Sequence, residues 1–73
     1  MAEYPNELKK LIAIATDLEL SAELRTKAIE QIGSIGTHQA LLALLDLVAN
    51  EKLVRNERDL ALRQAKEIIK LGR

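Results

Sequence analysis

The chain has 73 residues, 48% of them hydrophobic and 30% charged, and eleven basic side chains balance eleven acidic ones. That composition describes one small soluble globular domain over residues 1–73 and excludes disordered, collagen-like and membrane-spanning chains. With no cysteine and a single histidine, disulfides, thiolate nucleophiles, Cys-based zinc sites and multi-His metal cages are excluded as well.

Fourteen Leu, ten Ala and seven Ile stand against two Val and one aromatic, Tyr4. Strong helix formers dominate and strand formers are scarce, so the expected fold is all-α. The longest apolar run, residues 40–45, is far shorter than the roughly 20 residues that span a bilayer. Residues 1–5 show no basic segment followed by an apolar one, so a cytoplasmic location is expected.

Pro5 and Asn6 open the first helix, since proline suits a first turn and asparagine can cap its free N–H groups. Leu8, Leu11, Ile12 and Ala15 follow at helical spacing and form one apolar stripe. Residues 17–20 read as a connector. Ser21 is the strongest N-cap in the chain, with Glu23 in the first turn to complement the helix dipole. The second helix places Leu24, Ala28, Ile32 and Ile35 on one face and Lys27, Glu30, Gln31 and Ser34 opposite. Gly36 ends it in a left-handed turn, Thr37 caps the third helix at once, and so short a link predicts an antiparallel hairpin of the two.

The third helix, about residues 38–49, is apolar around nearly its whole circumference, with Gln39, Asp46 and Asn50 in a narrow polar sector. It is therefore expected at the centre of the core. For the fourth helix, Asn50 and Asn56 are both candidate caps. Its body carries Leu60, Ala61, Ala65, Ile68 and Leu71 on one face, and Gly72 stops it.

The chain repeats itself. A shift of 33 aligns Leu8, Leu11, Ile12 and Leu20 with Leu41, Leu44, Leu45 and Leu53. A shift of 36 aligns Leu24, Ile32, Ile35 and Gly36 with Leu60, Ile68, Leu71 and Gly72, the three extra residues being expected before the fourth helix. A period in the thirties points to a helical solenoid fragment.

Leu24-Arg25-x-x-Ala28-x-x-x-Ile32-Gly33-x-Ile35-Gly36, then Ala40, Leu41, Leu42, Leu44 and Leu45, resembles the short HEAT-like repeat of phycobilisome lyase-type proteins. The resemblance covers about residues 21–48, with the flanking helices as partial repeats. It implies a right-handed α-α superhelix fragment of two stacked hairpins, acting as a protein–protein scaffold. Under it, Arg25, Ala28, Gly33 and Gly36 are structural, and the first and third helices line the inner surface. Lys10, Ile14 and Asp17 on the first, with Ala43, Asp46 and Leu47 on the third, are then expected contact positions. The fourth helix departs from the pattern, with Ala61 and Ile69 where Arg25 and Gly33 should recur.

Gly33 lies toward the core side of its helix, where a missing side chain lets a neighbour approach, and Ala28 plays a similar part. Arg25 falls on the apolar face near its helix start, where an ion pair or carbonyl contact tying adjacent repeats together is expected, with Asp17, Glu19 or Asp46 as partner and a ligand contact as the alternative. Arg63, Lys66, Lys70 and Arg73 form a basic stripe facing away from the apolar side of the fourth helix. It reads as a solvated face, with docking of an acidic protein as the sharper alternative.

His38 has no nucleophile or carboxylate beside it in sequence, and Thr16, Ser21 and Thr37 read as local hydrogen-bonding groups. No cofactor and no catalytic residue is expected. The expected partner is another protein, or a second copy in a weak homodimer. Ile14, Leu62 and Ile69, at the margins of the apolar stripes, would supply the patch. An accessory role beside bilin lyases is the alternative, and nucleic-acid binding through the basic stripe is less favoured.

Overall fold

The computed structural model describes residues 6–71, so Tyr4, Pro5, Gly72 and Arg73 and the roles expected of them lie outside the described residues. Four helices follow in order: α1 (Asn6–Ala15), α2 (Ala22–Ile35), α3 (His38–Val48) and α4 (Arg55–Lys70). No strand occurs among the described residues. The fold is an all-α stack of two helical hairpins, α1–α2 and α3–α4, joined mainly by α2 lying against α4.

Two expected caps form. Ser21 Oγ accepts from Leu24 N at 3.3 Å, and Thr37 Oγ1 accepts from Ala40 N at 3.1 Å. Gly36 takes φ 68° and closes α2 in the left-handed region that glycine enters without a Cβ clash. Neither expected cap of α4 serves. The N-cap is Val54, which has no side-chain acceptor, and Asn56 is already the second residue of the helix. Asn50 instead accepts from Lys52 N at 2.9 Å within the connector.

That contact reveals the true register of the repeat. In the first connector Asp17 Oδ1 accepts from Glu19 N at 3.0 Å, and Leu20 N donates to Asp17 O at 3.1 Å. In the second, Lys52 N and Leu53 N donate in the same way to the side chain and carbonyl of Asn50. Every one of these positions, and the helix starts Ala22 and Arg55, is 33 residues from its counterpart. The three-residue insertion expected before α4 is therefore absent. The 36-residue match arises because α4 turns a different face inward from that of α2. Glu57, Ala61, Ala65 and Ile68 are its buried residues, whereas α2 buries Arg25, Ala28, Ile29 and Ile32.

The centre of the core is α2, not α3. It packs on α1, α4 and α3, whereas α3 packs extensively only on α4 and α2. Ala40, Leu41, Ala43, Leu44 and Leu47 of α3 are buried, but Leu42 and Leu45 are exposed, with no helix among the described residues covering that side. Leu24 and Leu71, expected on inner faces, are exposed. Ile29, fully buried, takes the place expected of Leu24. Gly33 meets α4 as expected. A Cβ built there would stand 2.7 Å from Gln64 Cδ and 3.1 Å from Gln64 Cβ, closer than ordinary contact.

Candidate interaction surface

One charged pair sits where the hairpins meet. Arg25 and Glu57 are the two buried charged side chains among the described residues. Arg25 Nε donates to both carboxylate oxygens of Glu57, at 3.1 and 3.2 Å, and Nη2 donates to Oε2 at 2.8 Å. Its other arm, Nη1, donates to the carbonyls of Leu20 at 2.6 Å and Asp17 at 3.5 Å. One guanidinium thus ties the first connector and α2 to the first turn of α4, and a planar five-donor fork is suited to that. Its hydrogen bonds to Glu57 raise the Arg25 pKa above its ordinary value against the opposing effect of desolvation.

The expected partners of Arg25 were Asp17, Glu19 and Asp46, and the observed one is Glu57. Asp17 contributes its backbone carbonyl, while its carboxylate is engaged in the turn. Glu57 is not legible as a partner in the sequence because it sits at the third helical position of α4, where a glutamate ordinarily serves the helix's own N-terminus. Its alignment with Ala61, Ala65 and Ile68 at helical spacing is the signal that could have placed it inward.

The 33-residue register also defines the two ends of the stack. At the first end, Leu11, Ile14, Leu24 and Gln31 line a shallow apolar groove between α1 and α2. Their counterparts Leu44, Leu47, Glu57 and Gln64 face the preceding hairpin and are buried or half-buried. Ile14 is 37% exposed against 2% for Leu47, and Leu24 is 48% exposed against 3% for Glu57. At the second end, Val48, Arg55, Arg58, Asp59 and Leu62 line an open groove of about 400 Å³. Of their counterparts in the first hairpin, Ala15, Arg25 and Ile29 are buried, Thr26 is half-buried and Ala22 is exposed. Ile29 is fully buried where Leu62 is 37% exposed, and Ala15 is fully buried where Val48 is half-exposed. Most of the side chains lining each groove thus correspond to ones that are buried one repeat away.

The sequence-predicted contact positions divide accordingly. Ile14 borders the first groove, and Lys10 lines a second cleft nearby with Glu7, Leu11, Gln31 and Ile35. Asp17 and Asp46 are exposed. Ala43 and Leu47 are not available for contact: both are in the core, because this face of α3 packs inward rather than lining an open surface. Arg63, Lys66 and Lys70 are exposed on α4, and Arg73 lies outside the described residues. Ile69, like Ile14 and Leu62, is exposed. Ala28 and Arg25 are buried, Gly33 lies against Gln64 of α4, and Gly36 takes a positive φ at the end of α2.

Thr16 Oγ1 donates to Ile12 O at 2.8 Å, and together with the two hydroxyl caps this accounts for the three hydroxyls singled out in the sequence. His38 is exposed in the first turn of α3. No cluster of three or more His, Asp or Glu side chains suited to a metal occurs among the described residues. No helix among them is long and apolar enough to cross a membrane. No protein-family model, curated protein or solved structure matches this chain.

Proposed function

We propose that this chain is a non-enzymatic, cytoplasmic interaction module built from two HEAT-like repeats in a right-handed stack, which holds another protein against its ends. The observation carrying the reading is the correspondence of exposed Ile14 and Leu62 with buried Leu47 and Ile29, 33 residues away. Aliphatic side chains left bare at the same positions that repeat packing covers elsewhere are what a stacked-repeat surface presents to a partner. The buried Arg25–Glu57 pair supports the reading, since it joins successive hairpins in the manner the resemblance implies.

The test is capture from native lysate with wild-type chain, Ile14→Asp and Leu62→Asp. Both side chains are exposed, so neither change should disturb the fold. The expected result is a partner retained by the wild type and lost on one or both substitutions. Equal retention by all three would contradict docking through the ends.

A further inference from the structure

Arg25 and Arg58 are the fourth residues of α2 and α4, 33 positions apart, and their backbone N–H groups donate to the equivalent carbonyls of Ser21 and Val54 at 3.2 and 3.1 Å. Their side chains meet different fates. Arg25 is buried and takes the Glu57 carboxylate of the next hairpin. Arg58 is half-exposed in the groove with Val48, Arg55, Asp59 and Leu62, and no carboxylate lies within ion-pair distance of it among the described residues.

We infer that this groove receives a helical hairpin of a partner protein whose second helix carries Glu or Asp as its third residue. That carboxylate takes Arg58 as Glu57 takes Arg25. The inference rests on the interaction-module reading and adds the chemistry of the partner.

The repeat relation fixes the occupant. The step that carries α1–α2 onto α3–α4 carries Arg25 onto Arg58, Ile29 onto Leu62 and Ala15 onto Val48. The hairpin that would cover the second set is one placed on α3–α4 as α3–α4 is placed on α1–α2. Charge agrees with this. Arg58, Leu62, Lys66 and Ile69 share one side of α4 at 100° per residue, with Arg55 beside them, so two exposed aliphatic side chains are bordered by three cations. Asp59 is the single carboxylate of the groove. An acidic, apolar helix face complements that surface.

A second copy of this chain does not. In a copy stacked on this end, the residue equivalent to Glu57 is Leu24, the third residue of α2. Burying Arg58 against leucine would leave the guanidinium without its anion, which opposes association. The same fact supplies the probe. Leu24→Glu puts the carboxylate at the required position on an exposed site, and first-turn glutamate suits the helix dipole.

The probe is the full chain carrying Leu24→Glu and Arg58→Ala, which presents the acidic end and cannot chain onward through the basic one. Its folding is checked by circular dichroism, and its binding to wild-type chain and to Arg58→Ala chain is measured by sedimentation equilibrium at low and high salt. The expected result is a one-to-one complex with wild type about tenfold or more tighter than with Arg58→Ala, weakening as salt rises. Equal affinity for the two, or no association with either, would overturn the inference. So would a wild type that self-associates as tightly as it binds the probe, which would assign the groove to a second copy. If these fail while wild-type chain still captures a partner lost on Leu62→Asp, the module reading stands and only the chemistry of its partner is wrong.

Discussion

Arg25 Nη2 lies 2.8 Å from Glu57 Oε2, and the two residues belong to different hairpins, 32 positions apart in the chain. Around this contact the first connector, α2 and α4 are held together by one side chain. The exposed pair of Lys27 with Glu23, at 3.7 Å within a single helix, offers a built-in comparison.

Removing either member of the buried pair strands the other in a desolvated site. Arg25→Ala and Glu57→Ala should each lower the melting temperature clearly, whereas Glu23→Ala should leave it nearly unchanged. Arg25→Lys should recover little, because an ammonium cannot serve both the carboxylate and the Leu20 carbonyl as the fork does. Arg25→Met combined with Glu57→Leu should regain much of what either alanine loses, since the charges are then removed together. Thermal melts of the five variants would check this ordering.

The raised pKa of Arg25 fixes the sign of its pH dependence. Stability gained through a raised basic group is fully present below the unfolded-state value and is lost only as pH climbs through the folded one. For Arg25 both lie at the strongly alkaline extreme. Melting of wild type and Arg25→Ala across neutral to mildly alkaline pH should therefore differ by a constant offset.

Gly33 is expected to tolerate side chains only if Gln64 yields. Gly33→Leu should cost about 1–3 kcal/mol by overpacking the α2–α4 contact. Gly33→Ala sets a gain in helix propensity of up to about 1 kcal/mol against displacement of the Gln64 amide. In a Gln64→Ala background the nearest obstructing atoms are gone, so Gly33→Ala should be more favourable there than in wild type. Urea denaturation of the four chains measures the coupling. The absence of coupling between the two positions would contradict the close approach.

The helix ends carry a graded expectation. Ser21→Ala and Thr37→Ala should each cost about 1 kcal/mol through loss of a cap, and Gly36→Ala about 1–2 kcal/mol through its positive φ. Asn56→Ala should be close to neutral, because Asn56 caps nothing. Val54→Asp should stabilise by roughly 0.5–1 kcal/mol, since Val54 is exposed and its helix lacks a side-chain acceptor. Chemical denaturation would rank them.

The sequence disclosed what local chemistry decides. Ser21, Thr37 and Gly36 marked helix ends because capping and left-handed turns need only neighbours in the chain. Gly33 and Arg25 stood out as a small residue and a charge on an apolar face, and both proved to be contact points between hairpins. What stayed hidden depends on which helix lies beside which. The apolar girth of α3 suggested a central helix, yet exposed Leu42 and Leu45 show that composition cannot say how many neighbours a helix has. Ala43 and Leu47, expected at an open surface, are buried for the same reason. The start of α4 was obscure because Val54 carries no capping signal, and the register of the repeat followed, since Asp17 and Asn50 match through turn geometry rather than residue identity. Glu57 was missed because its partner is remote in sequence.

Residues 33 positions apart are equivalent, closed where a hairpin neighbour exists and bare at the two ends. Methyl-resolved NMR of Ile- and Leu-labelled chain, with a soluble paramagnetic agent added, tests it most directly. Ile29 and Leu47 should keep their intensity, and their counterparts Leu62 and Ile14 should broaden strongly. Protection of Ile14 and Leu62 equal to that of Ile29 and Leu47 in monomeric chain would contradict the claim.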